Sequence, residues 1–425
     1  MLCQKGGPVI KRCNVHYGWI IMLMGMLTAL GAHGFGRMSY TVILPAMKEG
    51  LGLTYTQAGL LGTGNFIGYL VAAFLGGFLA SRFNSRYIIS FSLVLMGITM
   101  FMTGLVRSFE WAFAMRLITG LGNGGAYVPA MALGSVWFTT RYRGFATGIT
   151  SSGTGIGTML GAFIVPHLLI MFGAAGWRYA WFCLGALLLV IGMVCFAFLR
   201  PRPESIGLGP VGMQLPGEGN GHSDGGDEDG RLRWGLVYKQ KAIWHFAAIY
   251  FAFGFSYVIY MTFFAAYLKN EIGWTATQAS ALWAFVGALN IFCGVLWGGI
   301  SDYLGRKYSA ALVYLALAAS YLLFALVKVT PAFYISAVLF GLCYSGIPTI
   351  LAAASGDYVG RRLASAGLGF ITLFFGIGQA LGPAVGGCLA DATQTFSGAF
   401  ILAGAVSTLG ALGSLLLPAP GTHHE

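Results

Sequence analysis

Lys48-Glu49-Gly50-Leu51-Gly52-Leu53-Thr54-Tyr55-Thr56-Gln57-Ala58 occurs a second time, 221 residues further on, as Lys269-Asn270-Glu271-Ile272-Gly273-Trp274-Thr275-Ala276-Thr277-Gln278-Ala279. The Lys, the Gly at its fifth place, both Thr, the Gln and the Ala are kept while the residues between them drift. Apolar coincidences are common in so apolar a chain, so the weight rests on the polar ones. At the same offset, with no gap, Thr41 meets Thr262, Gly77 meets Gly298, Gly120-Leu121 meets Gly341-Leu342 and Gly148 meets Gly369. Farther along, Gly155-Ile156-Gly157 and Leu160-Gly161 return as Gly376-Ile377-Gly378 and Leu381-Gly382. One register held over this distance means that the chain is one design written twice, in parallel.

What is repeated is membrane-spanning. The 425 residues are 57% hydrophobic and 9% charged, where a soluble domain carries about 25% charged residues. The 65 glycines suit helices that approach one another closely. About 20 apolar residues cross a bilayer core as a helix. On that rule twelve spans are expected, near 17–46, 55–80, 87–106, 110–137, 144–173, 177–199, 243–268, 275–300, 308–328, 331–356, 363–389 and 397–417. The one long hydrophilic stretch, 200–242, carries the acidic run Asp227-Glu228-Asp229 and reads as a solvated linker. The expected fold is an all-α membrane protein with a six-helix bundle in 1–199, a linker in 200–242 and a second six-helix bundle in 243–425, related by pseudo-symmetry. Parallel repeats of this kind are the architecture of secondary transporters.

Of the 24 Lys and Arg, seventeen fall on the side that holds the N-terminus, and only Lys48, Arg107, Arg178, Lys269 and Lys328 fall on the other. By the positive-inside rule both termini and the linker are expected in the cytoplasm. The net charge of +11 is thereby dispersed among short loops, so nucleic acid is not an expected partner. The seven cysteines show no metal-like spacing and read as small hydrophobes. The apolar run from Trp19 is too long for a signal peptide and reads as a first span. No nucleophile–base set, HExxH or GxxxxGK[ST] is found, so neither an enzyme nor a nucleotide-driven pump is expected. No cofactor or metal is expected either. Short loops suggest a bacterial cytoplasmic (inner) membrane; a monomer is expected because transporters of this type often work as monomers.

After the eighth span the chain reads Gly298-Gly299-Ile300-Ser301-Asp302-Tyr303-Leu304-Gly305-Arg306-Lys307, and after the second Gly77-Phe78-Leu79-Ala80-Ser81-Arg82-Phe83-Asn84-Ser85-Arg86. The fourth span holds Arg116-Leu117-Ile118-Thr119-Gly120-Leu121-Gly122-Asn123-Gly124. These stretches resemble the loop signature and the RxxxGxGxG pattern of the major facilitator superfamily, with Ser81 in place of the usual Asp in the first loop. The resemblance covers nearly the whole chain and implies that Gly298, Asp302, Arg306 and Lys307 form a conformational lock. A narrower resemblance is to the monocarboxylate and oxalate/formate branch. It rests on Tyr17-Gly18-Trp19, Arg143-Gly144-Phe145-Ala146-Thr147-Gly148-Ile149, Gly176-Trp177-Arg178 and Pro203-Glu204-Ser205-Ile206-Gly207-Leu208. Many members of that branch carry a substrate-binding arginine in span 8, where this chain reads Cys293-Gly294.

All 13 acidic residues fall in loops or at span ends. The charges deep in spans are Arg37 and Arg116, roughly 15 Å and roughly 9 Å from their outer ends at the rise of an α-helix. Charge in hydrocarbon costs at least ~2.5 kcal/mol, so such residues usually face a wet cavity. His33, Arg37, Tyr40 and Thr41 share one face of an α-helix, as do Arg116, Gly120, Asn123 and Tyr127. Interior amides, His and Arg occur in spans 1, 2, 4, 5, 7, 8 and 11 and in none of spans 3, 6, 9 or 12, the four that lie outside the cavity in the superfamily fold.

Two buried cations without a buried carboxylate point to an anion as the missing partner, and Arg offers carboxylates a bidentate grip. The expected substrate is a small organic anion, a carboxylate, carried by alternating access with proton symport or anion exchange. Its expected contacts are Arg37 and Arg116, with His33, Tyr40, Asn123, Tyr257, Tyr260, Asn290, Tyr344 and Gln379 around it; His33 is the candidate proton carrier. For Arg116 the competing reading is a brace that bonds backbone carbonyls of span 1. For the Asn, Gln and Tyr residues it is glue or packing between helices. Two other functions are compatible with the chain: a proton-driven exporter of amphipathic drugs, favoured by the 15% aromatic content, and a non-transporting membrane sensor or assembly factor.

Overall fold

The computed structural model describes residues 16–82, 84–212, 241–359 and 364–417. The acidic run at 227–229 and the loop residues Arg361 and Arg362 lie outside the described residues. The chain is helical: α1 (Tyr17–Ala29), a π-helical segment (Leu30–Met38), α2 (Tyr40–Leu51), α3 (Tyr55–Arg82), α4 (Ser85–Leu105), α5 (Phe109–Trp137), α6 (Thr140–Phe172) and α7 (Gly176–Phe198) come first. After the linker follow α8 (Lys241–Asn270), α9 (Ala276–Leu304), α10 (Arg306–Leu326), α11 (Thr330–Cys343), α12 (Gly346–Val359), α13 (Ala364–Thr393) and α14 (Ser397–Leu415). Among the described residues nine segments are long and apolar enough to cross a membrane.

The repeated stretch builds the same corner twice. Gly52 and Gly273 end α2 and α8 with φ of +64° and +80°, a left-handed turn that a side chain would resist. Two residues later Thr54 and Thr275 open α3 and α9. The Gln57 side chain accepts from Thr54 N at 3.0 Å while Thr54 Oγ1 accepts from Gln57 N at 3.1 Å. Thr275 and Gln278 repeat the exchange at 3.0 and 3.2 Å. Each pair is a capping box, which satisfies two orphan amides of a helix start. The Thr-x-x-Gln pattern therefore sets where spans 2 and 8 begin.

Early helices pack on early ones (α3 on α5, α4 on α7, α1 on α6) and late on late (α8 on α13, α10 on α14, α9 on α11). Between the two sets the principal contacts are α3 with α13, α6 with α9 and α2 with α8. The 221-residue offset carries α3 onto α9 and α6 onto α13, so the first two contacts exchange under the repeat. The outer faces of α4, α7, α10 and α14 leave Phe91, Met193, Leu312 and Leu409 exposed, as hydrocarbon contact requires.

Glycines set the close crossing of α6 on the first span. A Cβ on Gly34 would stand 2.5 Å from Gly157 Cα, and Gly153 and Gly161 of α6 face Met26 and Ser39 in the same stripe. Small residues four apart let helix backbones touch. α6 thus lies directly against the π-helical segment that carries Arg37.

Candidate functional site

The π segment decides where Arg37 goes. The Ser39 amide bonds Gly34 O five residues back at 3.1 Å, and the Ser39 hydroxyl shares that carbonyl at 3.2 Å. The wider turn spoils α-helical register. His33 and Arg37 remain side by side, Arg37 Nη1 and His33 Nε2 being 3.2 Å apart, and Thr41 stays on their side toward α8, but Tyr40 turns to α3. Tyr40 donates to Ala58 O at 2.7 Å and Thr41 to Met261 O at 2.8 Å.

Arg37 is 4% exposed and reaches across to the late helices. Its Nη2 donates to Tyr257 Oη at 2.7 Å, and the same phenol oxygen accepts from Gln379 Nε2. The guanidinium lies 4.2 Å from the Phe66 ring centroid and 5.3 Å from that of Tyr69, where cation–π attraction offsets part of its desolvation. Around this cluster lies a cavity of about 630 Å³. It starts at His33, Arg37, Tyr257 and Gln379 and runs toward Gly144 and Gly148 at the start of α6 and Leu368 near the start of α13. No Asp or Glu lines it among the described residues.

The cavity has an aromatic wall and a hydroxyl-rich one. Tyr250 and Phe375 stack at 4.4 Å, and Phe253 and Tyr257 at 4.8 Å, each pair within 13° of parallel. Tyr344 continues the stack 6.1 Å from Tyr257 and accepts from Asn290 Nδ2 at 3.2 Å, while Ser345 donates to Asn290 Oδ1 at 2.6 Å. Tyr127 lies against His33 with ring centroids 3.7 Å apart. Ser151, Thr147, Thr349 and Thr372 supply hydroxyls farther along.

Of the expected site residues, the fold brings His33, Arg37, Tyr257, Asn290, Tyr344 and Gln379 to this cavity. Arg116, Tyr40, Asn123 and Tyr260 do not line it. Arg116 donates to Gly36 O at 3.0 Å and lies over the rings of Tyr40 (4.5 Å) and Trp181 (5.3 Å). Asn123 donates to Ala32 O at 2.9 Å, and Asn65 holds Arg116 O at 3.1 Å. Distorted helices in a membrane keep their shape where side chains take up backbone groups, and α5 does this for two carbonyls of the π segment. Tyr260 bonds Ser336 Oγ at 2.7 Å inside the packing of Tyr321 and Phe340. Tyr69, Tyr250, Phe253, Phe375 and the hydroxyl wall were not singled out by the sequence; aromatic and small polar residues are too frequent there to mark a cavity.

Two other polar clusters lie at the ends of the helices. In the loop signature Arg306 pairs with Asp302 at 2.7 Å and donates to Ser301 Oγ at 2.5 Å. Gly298 precedes this pair, and Lys307 stands 5.9 Å from the Tyr308 ring. At the opposite end early and late helices are bound together. Lys269 pairs with Glu49 at 2.7 Å. Asp391 of α13 accepts from Tyr55 N (2.9 Å), Thr56 N (2.7 Å) and Thr56 Oγ1 (2.6 Å), and so caps α3. Thr63 donates to Ala380 O at 2.6 Å. The cavity is thus shut at this end.

Comparison with known proteins agrees with this architecture. The profile of the Major Facilitator Superfamily matches residues 26–332 and 265–425. The chain is 26% identical over 391 residues to a probable sulfoacetate transporter, SauU, of Cupriavidus necator, covering 90% of this chain and 89% of that protein. It is 25% identical over 399 residues to a hexuronate transporter of Bacillus subtilis (88% and 89% covered), and 26% over 371 residues to monocarboxylate transporter 12-B of Danio rerio (80% and 71%). Among solved structures, a bacterial homologue of the human lysosomal transporter Spinster, inward-facing and occupied, superposes with a TM-score of 0.76 at 17% identity, over 94% of this chain and 97% of that one. These relatives are transporters and not enzymes. With its repeat, its helix order and its profile in agreement, the chain belongs to the major facilitator superfamily, with organic-anion transporters among its relatives.

Proposed function

We propose that the protein is a secondary active transporter of a small organic anion, with a carboxylate as its reference chemistry. One observation carries the reading: Arg37 is a buried cation in a cavity that no described Asp or Glu lines. A desolvated cation in need of a counter-charge, set in the wall of such a cavity, is a receptor for an anion. The relatives named for sulfoacetate, hexuronate and monocarboxylate transport lend support, since all three substrates are anionic.

Transport is by alternating access. Twelve membrane crossings form two six-helix halves, 1–199 and 243–425, that rock about Arg37, with the termini and the 200–242 linker in the cytoplasm by the positive-inside rule. In that orientation the cavity runs toward the cytoplasm. The membrane is a bacterial inner membrane and the working unit a monomer. Coupling is by proton symport, with His33 as the titratable group beside Arg37, or by exchange of one anion for another.

The test is thermal stabilisation of purified protein by mono- and dicarboxylates, inorganic anions and cationic drugs, followed by uptake of any hit into vesicles with and without a protonophore. Arg37→Ala removes charge-assisted hydrogen bonds worth about 1.5–3 kcal/mol, so carboxylate affinity falls roughly 10- to 100-fold at 1.4 kcal/mol per decade. Equal stabilisation of the variant and the parent by a carboxylate would remove Arg37 from the site. The aromatic wall supports a second reading, export of amphipathic drugs. A response to cationic amphiphiles alone, indifferent to Arg37, would establish it. Collapse of uptake by the protonophore, with no counter-substrate inside, selects symport over exchange.

A further inference from the structure

We infer that the two halves meet in one antiparallel register along their whole interface, and that Gly148 with Gly294, and Ala73 with Gly369, are the residues that touch when the cavity shuts at the linker end. The inference rests on the alternating-access reading and deepens it, by naming contacts of the arrangement opposite to this one. The register is read where the halves already touch. A Cβ on Gly387 would run into Tyr55 O, and one on Gly59 into Pro383 O. Four residues forward on α3 is four residues back on α13, so these helices run antiparallel and in step. α6 and α9 do the same: a Cβ on Gly155 would stand 2.7 Å from Gly287 O, and one on Gly287 would stand 3.0 Å from Gly155 O. Only glycine fits so close a backbone.

The same register continues toward the linker end. Seven residues before Gly155 stands Gly148, and seven after Gly287 stands Gly294; fourteen after Gly59 stands Ala73, and fourteen before Pro383 stands Gly369. Seven residues are close to two helical turns, so each residue keeps the face of its helix that makes the contacts above. The 221-residue offset carries Gly148 onto Gly369 and Ala73 onto Gly294, so the two pairs are one pair written twice. Here the helices have parted. Gly148 of α6 and Gly294 of α9 both line the cavity. A Cβ on Gly148 or Gly369 would meet nothing within 4 Å, and one on Gly294 only Thr349 Oγ1 at 3.9 Å. This arrangement therefore has room for side chains at these places, and glycine weakens a helix interior relative to alanine. What glycine supplies there is the close approach that Gly155 and Gly287 already use, held for the arrangement in which this end is shut.

Cysteine pairs in the full-length protein, in a background without the native cysteines and reconstituted in vesicles, read these contacts without any ligand. A disulfide needs Cα atoms about 4.4–6.8 Å apart, which touching helices supply and an open cavity does not. After oxidation with a copper catalyst the 200–242 linker is cut by a protease, and a disulfide keeps the two halves together on a gel. Gly148→Cys with Gly294→Cys, and Ala73→Cys with Gly369→Cys, are expected to cross-link roughly fivefold more than Gly148→Cys with Ile291→Cys, which is one turn out of register. Gly148→Trp then puts a wedge into one interface only. It enters open space in this arrangement, so its melting temperature stays near the parent's. The yield for Ala73→Cys with Gly369→Cys is expected to fall roughly fivefold beside it, because the two interfaces shut together. More disulfide with Ile291→Cys than with Gly294→Cys overturns the register and leaves closure at this end standing. A folded Gly148→Trp that leaves the yield at the other interface unchanged overturns the pairing of the two contacts. Should that variant not fold, the yields of the three cysteine pairs decide alone. Disulfide in none of the pairs, with each variant monodisperse, means that the halves never meet at the linker end and removes the alternating-access reading itself.

Discussion

Arg37 and Arg116 are both buried cations, 4% and 2% exposed, but their surroundings make opposite use of them. Arg37 lines the cavity and bonds His33 and Tyr257 there. Arg116 is enclosed by Gly36 O, Tyr40 and Trp181, so its charge is spread over a carbonyl and two ring faces. Arg116→Ala therefore removes packing and a charged donor to the π segment together, at about 2–4 kcal/mol. It should lower the melting temperature of the empty protein far more than Arg37→Ala does. The reverse order in a thermal melt would make Arg116 a binding residue and Arg37 the brace. Both arginines were legible in the sequence because charge inside an apolar run is rare. The brace reading of Arg116 was legible too, as the alternative to binding; the carbonyl it takes, Gly36 O, was not, because that depends on which backbone carbonyls the π segment leaves within reach.

At the scale of elements, the capping boxes at Thr54 and Thr275 were encoded locally and could be read directly: a four-residue pattern, found twice, fixes two helix starts. The π segment could not. Reading 30–41 with an α-helical period put Tyr40 and Thr41 on the face of Arg37; Thr41 does meet α8 one turn beyond Tyr257, whereas Tyr40 is turned to Ala58. Pairings such as Arg37 with Tyr257, 220 residues apart, lie beyond any local period. The same holds for Asp391, which sits at the end of α13 in sequence and at the start of α3 in space. A capping side chain is worth about 0.5–2 kcal/mol. Since this cap joins an early helix to a late one, it contributes only while the end opposite the linker is shut. Asp391→Ala should therefore raise the population open at that end by roughly 2- to 30-fold at 1.4 kcal/mol per decade. Spin labels on the exposed loop positions Arg107 and Lys328 report it as growth of a longer-distance population. An unchanged distance distribution would mean that the cap is not part of the gate.

For the molecule as a whole, the repeat carries the contact of α3 with α13 onto that of α6 with α9, so a motion that parts one end of the interface closes the other. On the proposed alternating-access motion, this structure is one extreme. Lys269–Glu49, the Asp391 cap and Thr63–Ala380 bind the halves at one end, while the cavity runs toward the other. If transport is the rocking of two halves about Arg37, a tether at the bound end must stop turnover without blocking the site. Cysteines replacing Glu49 and Lys269, joined by a short bifunctional reagent in a background without the native cysteines, provide that tether. The cross-linked protein is expected to lose uptake into vesicles and to keep its thermal stabilisation by the anion, because the path from the linker end to Arg37 stays open. Release of the cross-link by a reductant, when the reagent contains a disulfide, should restore uptake. Continued transport in fully cross-linked protein would show that the two halves need not part at this end, and would leave alternating access about Arg37 without support.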